Sequence, residues 1–129
     1  MRELIRKIAH VGYQVSDLSQ SLAFYEPLGF EIQQRFSKPS PQGKIDVAFL
    51  EMGGAVLELY QLPAGTAFDV PRCGIEHLAL EVSDLDAVVT ALETLNYPLD
   101  EGPVQEGQVR FLLIRGPDGE RLEFDEFRG

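Results

Sequence analysis

The sequence predicts an α+β protein built from two copies of one βαβββ module. An internal repeat is the first indication: residues 8–18 recur 67 positions further on as residues 75–85. The ends of the two copies also match, since residues 53–59 correspond to residues 118–124. Self-similarity of this kind is the sequence signature of a duplicated supersecondary unit. Each copy also contains one segment with helical periodicity. In the segments before and after it, apolar and polar residues alternate, as in strands.

The length and composition set the bounds of the modules. A chain of 129 residues, 44% hydrophobic and 25% charged, can bury one sizeable core. We therefore expect residues 1–129 to form a single domain, with a first module over residues 8–61 and a second over residues 75–127. Residues 62–74 contain two prolines and two glycines, which favour irregular structure. This segment is predicted to be the linker between the modules.

The first module begins with an apolar, β-branched strand. Its helix is expected to start at Ser16 or Asp17, both good N-cap residues, and to end before Pro27 and Gly29. The segment over residues 37–43 is rich in Pro, Ser and Gly, so it is predicted to be a surface loop. Gly53 and Gly54 predict a hairpin turn. The predicted strands cover residues 7–15, 30–35, 45–52 and 55–61.

The second module repeats this order. Its helix is predicted to begin at Ser83, with Asp86 completing a capping box, and to end near Asn96. Residues 100–107 are predicted to be a loop. The buried stripe of the helix is expected at Leu85, Val88, Val89, Leu92 and Leu95, and the strands at residues 75–82, 109–115 and 120–127.

Four residues with ligand-type side chains occupy equivalent positions in the two copies. His10 and His77 are the only histidines, and Glu58 and Glu123 are equivalents in the closing strands. Because side chains alternate along a strand, all four are predicted to point away from the helices. If the two sheets curve into a cup, this face is its interior. Gathering two carboxylates there costs desolvation and repulsion unless a cation offsets it, so the pattern indicates a divalent-metal site.

The charge balance argues against a nucleic-acid-binding protein. The chain has 21 acidic and 11 basic residues, a net charge of −10, and no basic patch beyond Arg2, Arg6 and Lys7. No apolar run reaches membrane-spanning length, and no signal-peptide pattern is recognisable. We therefore expect a cytoplasmic protein with a small-molecule substrate and neither a nucleic-acid nor a membrane partner.

Three segments resemble the vicinal oxygen chelate superfamily, which includes glyoxalase I, methylmalonyl-CoA epimerase, extradiol dioxygenases and bleomycin-binding proteins. They are residues 10–18 (HVGYQVSDL), residues 23–30 (AFYEPLGF) and residues 116–123 (GPDGERLE). The resemblance implies two βαβββ modules curled around one divalent ion, the glyoxalase-like fold. It also implies that the metal ligands are His10, Glu58, His77 and Glu123.

Glutamate at position 58 makes the ligand pattern most similar to that of glyoxalase I, lactoylglutathione lyase. This implies isomerisation of a 2-oxoaldehyde hemithioacetal, with Glu123 as the catalytic base and Glu58 as the alternative. Mixed nitrogen and oxygen ligands suit Ni, Zn, Co, Mn or Fe, without a choice among them. Gln14 is a candidate substrate-binding residue. The resemblance places it at the position where bacterial glyoxalase I has an Arg that binds the glutathione carboxylate. The thiol of the substrate adduct is therefore left open.

Other members of the superfamily supply alternative functions. An epimerase acting on an acyl-CoA would use Asp46, a second candidate substrate-binding residue, near the position of that family's catalytic Glu. A non-catalytic bleomycin-resistance-type protein would bind a cationic ligand, with Phe24, Tyr25 and Phe49 as stacking surfaces. Members of this family are homodimers in most cases, so the resemblance implies a twofold dimer. Its sites would form either within one chain or across the interface.

Overall fold

Residues 1–66 and 75–128 are described by the structure, a computed structural model. They fall into two compact units, residues 1–66 and residues 75–128. The predicted linker over residues 62–74 lies mostly outside the described residues. The expectation that both modules make up a single domain stays a prediction. Each unit contains one strand, one helix and three strands in the predicted βαβββ order, so the α+β class is confirmed. In the second unit the first strand after the helix lies in a segment predicted to be a loop.

The first unit is a four-stranded mixed sheet with one helix. The order across the sheet is β1-β4-β3-β2, and only the β1/β4 pair is parallel. The helix contacts β3 and β4, and the buried side chains of Leu57 and Leu59 mark the face of the sheet that it covers. Its elements are β1 (Val11–Gln14), α1 (Leu18–Tyr25), a 3-10 turn (Glu26–Leu28), β2 (Glu31–Ser40), β3 (Gly43–Met52) and β4 (Ala55–Gln61).

The second unit has the same topology. Its strand order is β5-β8-β7-β6, with β5 parallel to β8 and the other pairs antiparallel. Leu122 and Phe124 on β8 are buried, as the alternation of the sequence predicts for the helix face. Leu85 and Leu92 are the fully buried residues of the helix. Its elements are β5 (His77–Glu81), α2 (Leu85–Leu95), β6 (Leu99–Glu106), β7 (Val109–Arg115) and β8 (Arg121–Phe127).

Both helices begin in the same way. Asp17 caps α1 through the N–H of Gln20, and Asp84 caps α2 through the N–H of Ala87. The predicted capping box of Ser83 and Asp86 is therefore wrong. Asp84 stands one residue nearer the helix and takes the N-cap position. Asp86 instead forms an ion pair with Arg110 on β7 at 2.9 Å.

The last strand of each unit supplies a second acceptor to the helix start. The Leu18 N–H donates to Gln61 Oε1 at 2.7 Å, and the Leu85 N–H donates to Glu126 Oε1 at 3.0 Å. Gln61 and Glu126 are equivalent positions of the repeat. These bonds satisfy backbone donors that a helix leaves without an intrahelical partner. They also tie each helix to the strand that carries Glu58 in the first unit or its repeat equivalent, Glu123, in the second.

Two predicted loops are strands. Residues 37–40 extend β2 and pair with β3, for example Ser37 with Asp46 and Pro39 with Lys44. Residues 99–106 form β6, which pairs with β7 and has register shifts around Glu101. Both β2 and β6 are edge strands. An edge strand tolerates Pro and bulges because the backbone groups along its outer side form no hydrogen bonds to another strand.

The two opening strands are shorter than predicted. β1 begins at Val11 and β5 at His77, so the predicted strands over residues 7–15 and 75–82 lose their first residues. His10 therefore immediately precedes its strand, whereas His77 is the first residue of its own.

Within the described residues, no helix is long and apolar enough to cross a membrane.

Candidate metal and catalytic site

In the first unit, strand register brings His10 and Glu58 to the same face. Gly12 pairs with Glu58 across the parallel β1/β4 pair, and His10 lies two residues before Gly12. Side chains two residues apart in extended chain share a face. The result is a distance of 3.7 Å from His10 Nε2 to Glu58 Oε2. We call this helix-free face, which carries His10 and Glu58, the site face of the first unit.

The second unit places His77 and Glu123 by the same rule. Ala79 pairs with Glu123 across the parallel β5/β8 pair, and His77 pairs with Arg121. His77, Glu123 and Arg121 therefore share one face, which we call the site face of the second unit. Burial raises the pKa of the Glu123 carboxyl, and the neighbouring Asp125 raises it further, while His77 and Arg121 act in the opposite direction.

A charged network surrounds His77. Its Nδ1 lies 2.7 Å from Glu76 Oε2. Arg121 donates from Nη1 to Glu76 Oε1 at 2.9 Å and from Nη2 to Glu101 Oε2 at 2.7 Å. The Nε atom of the same guanidinium lies 3.4 Å from Asp100 Oδ2. The Arg121 hydrogen bond, followed by that of His77, lowers the pKa of Glu76, and the carboxylates raise the pKa of Arg121.

The surroundings of His10 are aromatic instead. The ring of Phe49 meets the His10 ring edge to face, with centroids 5.7 Å apart. Phe36 stacks on Phe49 at 6.1 Å and 19°. Phe49 pairs with Glu58 in the β3/β4 register, so it lies on the site face as well. The first unit thus combines its imidazole and carboxylate with an aromatic surface.

The two candidate substrate-binding residues lie on different faces of the first sheet. Gln14 lies two residues after Gly12 on β1 and pairs with Tyr60, so it shares the site face. Asp46 pairs with Gln61, in the row that faces the helix, and accepts a hydrogen bond from Ser37 Oγ. The structure therefore does not bring Asp46 together with His10 and Glu58.

Of the three aromatics considered as stacking surfaces, Tyr25 belongs to the core and Phe24 packs against it. Tyr25 is fully buried, and its ring packs edge to face against Phe24 at 5.0 Å and Phe30 at 5.2 Å. Phe49 alone of that group lies on a site face. Phe36 joins it there, a residue that the sequence reasoning did not single out.

Sequence reasoning also missed Glu76 and Arg121. A signal was present in the repeat: their equivalents in the first unit are Ala9 and Val56. Two positions beside a duplicated histidine are therefore charged in one copy and apolar in the other. Such a difference between copies indicates a role that only one of them has.

The donor types of the two site faces fit a divalent transition-metal ion. Each unit offers one imidazole and one carboxylate, the ligand classes that Zn, Ni, Co, Mn and Fe accept. Across the described residues as a whole, no three His, Cys, Asp or Glu side chains are close enough together to hold an ion.

The duplicated βαβββ topology, with an imidazole and a carboxylate on one face of each sheet, defines the class of protein. Residues 7–124 match the model of the Glyoxalase/Bleomycin resistance protein/Dioxygenase superfamily. The chain belongs to this superfamily.

Individual relatives span nearly the whole chain. It is 33% identical to the uncharacterized protein YaeR of Escherichia coli, over 95% of this chain and 97% of that protein. It is 30% identical to a lactoylglutathione lyase of Haemophilus influenzae, over 93% of this chain and 92% of the relative. A crystal structure of a glyoxalase family protein from Bacillus cereus has a TM-score of 0.80 at 23% identity, covering 97% and 96% of the two chains.

Proposed function

We propose that this protein is a divalent-metal-dependent isomerase of the glyoxalase I type. It would convert the hemithioacetal of a 2-oxoaldehyde into a 2-hydroxyacyl thioester. The observation that carries the proposal is the His and Glu pair that each unit holds on its site face, His10 with Glu58 and His77 with Glu123. Membership of the superfamily and the similarity to a lactoylglutathione lyase support it.

We assign His10, Glu58, His77 and Glu123 as the metal ligands. Two carboxylates brought together repel one another and lose hydration, and a bound cation offsets both costs. The set suits Ni, Zn, Co, Mn or Fe(II). When bound, the ion would supply positive charge that stabilises the negative charge developing on two adjacent substrate oxygens.

The part that the chain itself plays in the reaction is a proton transfer. The proton leaves the hemithioacetal carbon and is delivered to the neighbouring carbon. The hydroxyl proton of the hemithioacetal passes to the neighbouring oxygen, so the hydroxyl becomes the thioester carbonyl and the ketone or aldehyde carbonyl becomes the hydroxyl group. The carbon–sulfur bond stays intact, and no external oxidant is needed because one carbon is oxidised as the other is reduced. Following the glyoxalase I pattern, we assign the base to the Glu123 carboxylate, with Glu58 as the alternative.

Gln14 bears on the identity of the thiol. It lies on the site face of the first unit, in register with Tyr60. Its neutral amide can hydrogen-bond a carboxylate but cannot form an ion pair with it. A thiol with fewer negative charges than glutathione is therefore as well suited to this position, and the assay must include several thiols.

Thioester formation tests the proposal directly. Protein stripped of metal would be reloaded with Ni²⁺ or Zn²⁺ and supplied with methylglyoxal together with glutathione or other low-molecular-weight thiols. We expect thioester to form with at least one thiol, and the His10→Ala/His77→Ala double variant to be inactive. No turnover with any thiol would contradict the assignment.

We further propose that the protein works in the cytoplasm as a homodimer. A mixed dimer of His10→Ala and His77→Ala chains distinguishes the two arrangements of the site. If the pairs meet across the interface, one site keeps both histidines, and the mixed dimer recovers about half the activity. If they meet within a chain, every site lacks one histidine and no activity returns. A monomeric mass in solution would contradict the dimer.

One observation favours a second candidate function, a binding protein without catalytic activity. Phe36, Phe49 and His10 form a continuous row of rings, and such a surface can stack on a planar or cationic ligand. Metal analysis distinguishes the two functions, because a binder of this kind should purify without stoichiometric metal.

The epimerase alternative has less support than either function. Asp46, its candidate residue, lies in the row that faces the helix. Solvent deuterium incorporated at the α-carbon of an acyl-CoA such as methylmalonyl-CoA would revive it.

A further inference from the structure

Glu76 holds the ring of His77 in a way that has no counterpart at His10. Its Oε2 atom lies 2.7 Å from His77 Nδ1. At the equivalent position of the first unit stands Ala9, which has no polar side chain. The two candidate ligand histidines therefore differ in the residue that precedes them: a carboxylate contacts Nδ1 of His77, whereas the residue before His10 has no polar side chain.

Arg121 fixes the position of the Glu76 carboxylate. Its Nη1 atom binds Glu76 Oε1 at 2.9 Å, which leaves Oε2 for the imidazole. Its Nη2 atom binds Glu101 at 2.7 Å on β6, so the guanidinium is held from two sides. The equivalent of Arg121 in the first unit is Val56. The whole relay from guanidinium to carboxylate to imidazole thus belongs to the second unit.

The chemistry of this contact determines which ring nitrogen can accept a metal. A neutral imidazole carries one proton, and a carboxylate is an acceptor only. With Glu76 ionised, the proton therefore lies on Nδ1 and the lone pair on Nε2. A carboxylate that accepts from the far nitrogen of a ligand histidine fixes its tautomer and ring orientation and increases its basicity as a ligand.

We propose that Glu76, anchored by Arg121, is a positioning residue that presents Nε2 of His77 as a preformed ligand to the metal ion. The inference rests on the proposed function, because it takes His77 as a ligand. It goes further by making the two histidines unequal: His77 is oriented before the ion arrives, whereas His10 is oriented by packing against Phe49 and by the ion itself.

The tautomer of His77 can be measured without metal or substrate. The chain has only two histidines, so ¹⁵N NMR of the imidazole rings in metal-free protein is readily assigned with a His10→Ala variant. We expect His77 to carry its proton on Nδ1 in the wild type and to populate both tautomers in Glu76→Ala. The same tautomer mixture for His77 in the wild type and in Glu76→Ala would overturn the proposal.

Metal affinity supplies the second readout. In Zn²⁺ titrations of the metal-free protein, we expect Glu76→Ala to weaken binding by about 10- to 100-fold, the usual cost of losing such a partner. Glu76→Gln, whose amide oxygen can still accept from Nδ1, should fall between the two. Glu93→Ala is the matched control, since it removes the same charge from an exposed position on α2 and should leave affinity unchanged.

The outcomes separate this inference from the proposed function. If the wild type binds Zn²⁺ tightly and Glu76→Ala binds it equally well, the positioning role is wrong while the metal site stands. If the wild type binds no Zn²⁺, the ligand role of His77 and the proposed function fall together. A drop in affinity that Glu93→Ala shares would show a general charge effect and would likewise overturn the positioning role.

Discussion

The two units of this protein have the same framework but different site faces. Each caps its helix with an aspartate, ties the helix start to its last strand and brings an imidazole and a carboxylate to one face. The surroundings differ: His10 meets aromatic rings, whereas His77 belongs to a network of Glu76, Arg121 and Glu101. Under the proposed function both units need the shared features, and the differences predict a division of labour between them.

Exchanging the two carboxylates for amides tests that division with the largest expected effect. If Glu123 is the base, Glu123→Gln should lower kcat by at least about 100-fold even at saturating metal. Glu58→Gln should act mainly through weaker metal binding, so that added Ni²⁺ or Zn²⁺ restores part of its activity. Glu106→Gln, an exposed position on β6, is the control. The reverse pattern would make Glu58 the base, and normal metal binding and turnover by Glu123→Gln would show that the duplication argument is wrong.

Matched core substitutions test whether the hydrophobic cores of the two units contribute equally to the free energy of unfolding. Leu57 and Leu122 are equivalent and almost fully buried. Changing either to Ala removes buried methyl groups and leaves a cavity, so we expect each variant to lose about 2–5 kcal/mol of unfolding free energy. Denaturant unfolding measures both. A loss below about 1 kcal/mol at one site alone would show that its unit tolerates collapse around the cavity.

The N-caps provide a smaller and more local comparison. Asp17→Ala and Asp84→Ala should each cost about 1 kcal/mol, because each removes the acceptor for a backbone N–H of the first helical turn. Ser83→Ala should be close to neutral, since Asp84 is the residue that caps α2. Thermal or denaturant unfolding of the three variants checks this. A larger loss in Ser83→Ala than in Asp84→Ala would restore the capping box predicted from the sequence.

The smallest expected effect is a difference in acid sensitivity between the two hydrogen bonds that join each helix start to the last strand of its unit. The Leu85 N–H, followed by Arg128, lowers the pKa of Glu126 from its ordinary value of 4.5. A carboxyl whose pKa is lower in the folded state stabilises the fold above its unfolded pKa, and this contribution is lost as the pH falls through the folded value. Glu126→Gln copies Gln61 of the first unit and should therefore flatten the decline of stability below about pH 4.5. Identical pH profiles for the variant and the wild type would contradict this account.

The sequence predicted the faces of the strands better than their bounds. Alternation has a period of two, so Glu58 and Glu123 could be assigned to a face from Leu57, Leu59 and Leu122 alone. Edge strands carry a weaker signal, because Pro39 at one edge and Gly102 with Pro103 at the other are typical of loops. Pairing with the next strand along the chain, β3 for β2 and β7 for β6, rather than local propensity, determines these two strands.

The candidate site was predicted in part. The duplication pointed to the four ligand-type residues because repeated positions can be compared within one chain. Glu76 could not be found from periodicity, since an exposed Glu beside a strand is ordinary. Its contact with His77 depends on ring orientation and on Arg121 from a neighbouring strand, which no local pattern encodes.

Metal stoichiometry tests the central claim, that the two units contribute to one site. Metal-free protein would be titrated with Zn²⁺ by calorimetry, and the loaded protein would be analysed for bound metal. We predict one ion per chain in the wild type, with tight binding lost in His10→Ala and in His77→Ala alike. No bound ion, or two ions per chain of which each variant loses one, would contradict a site built from both units.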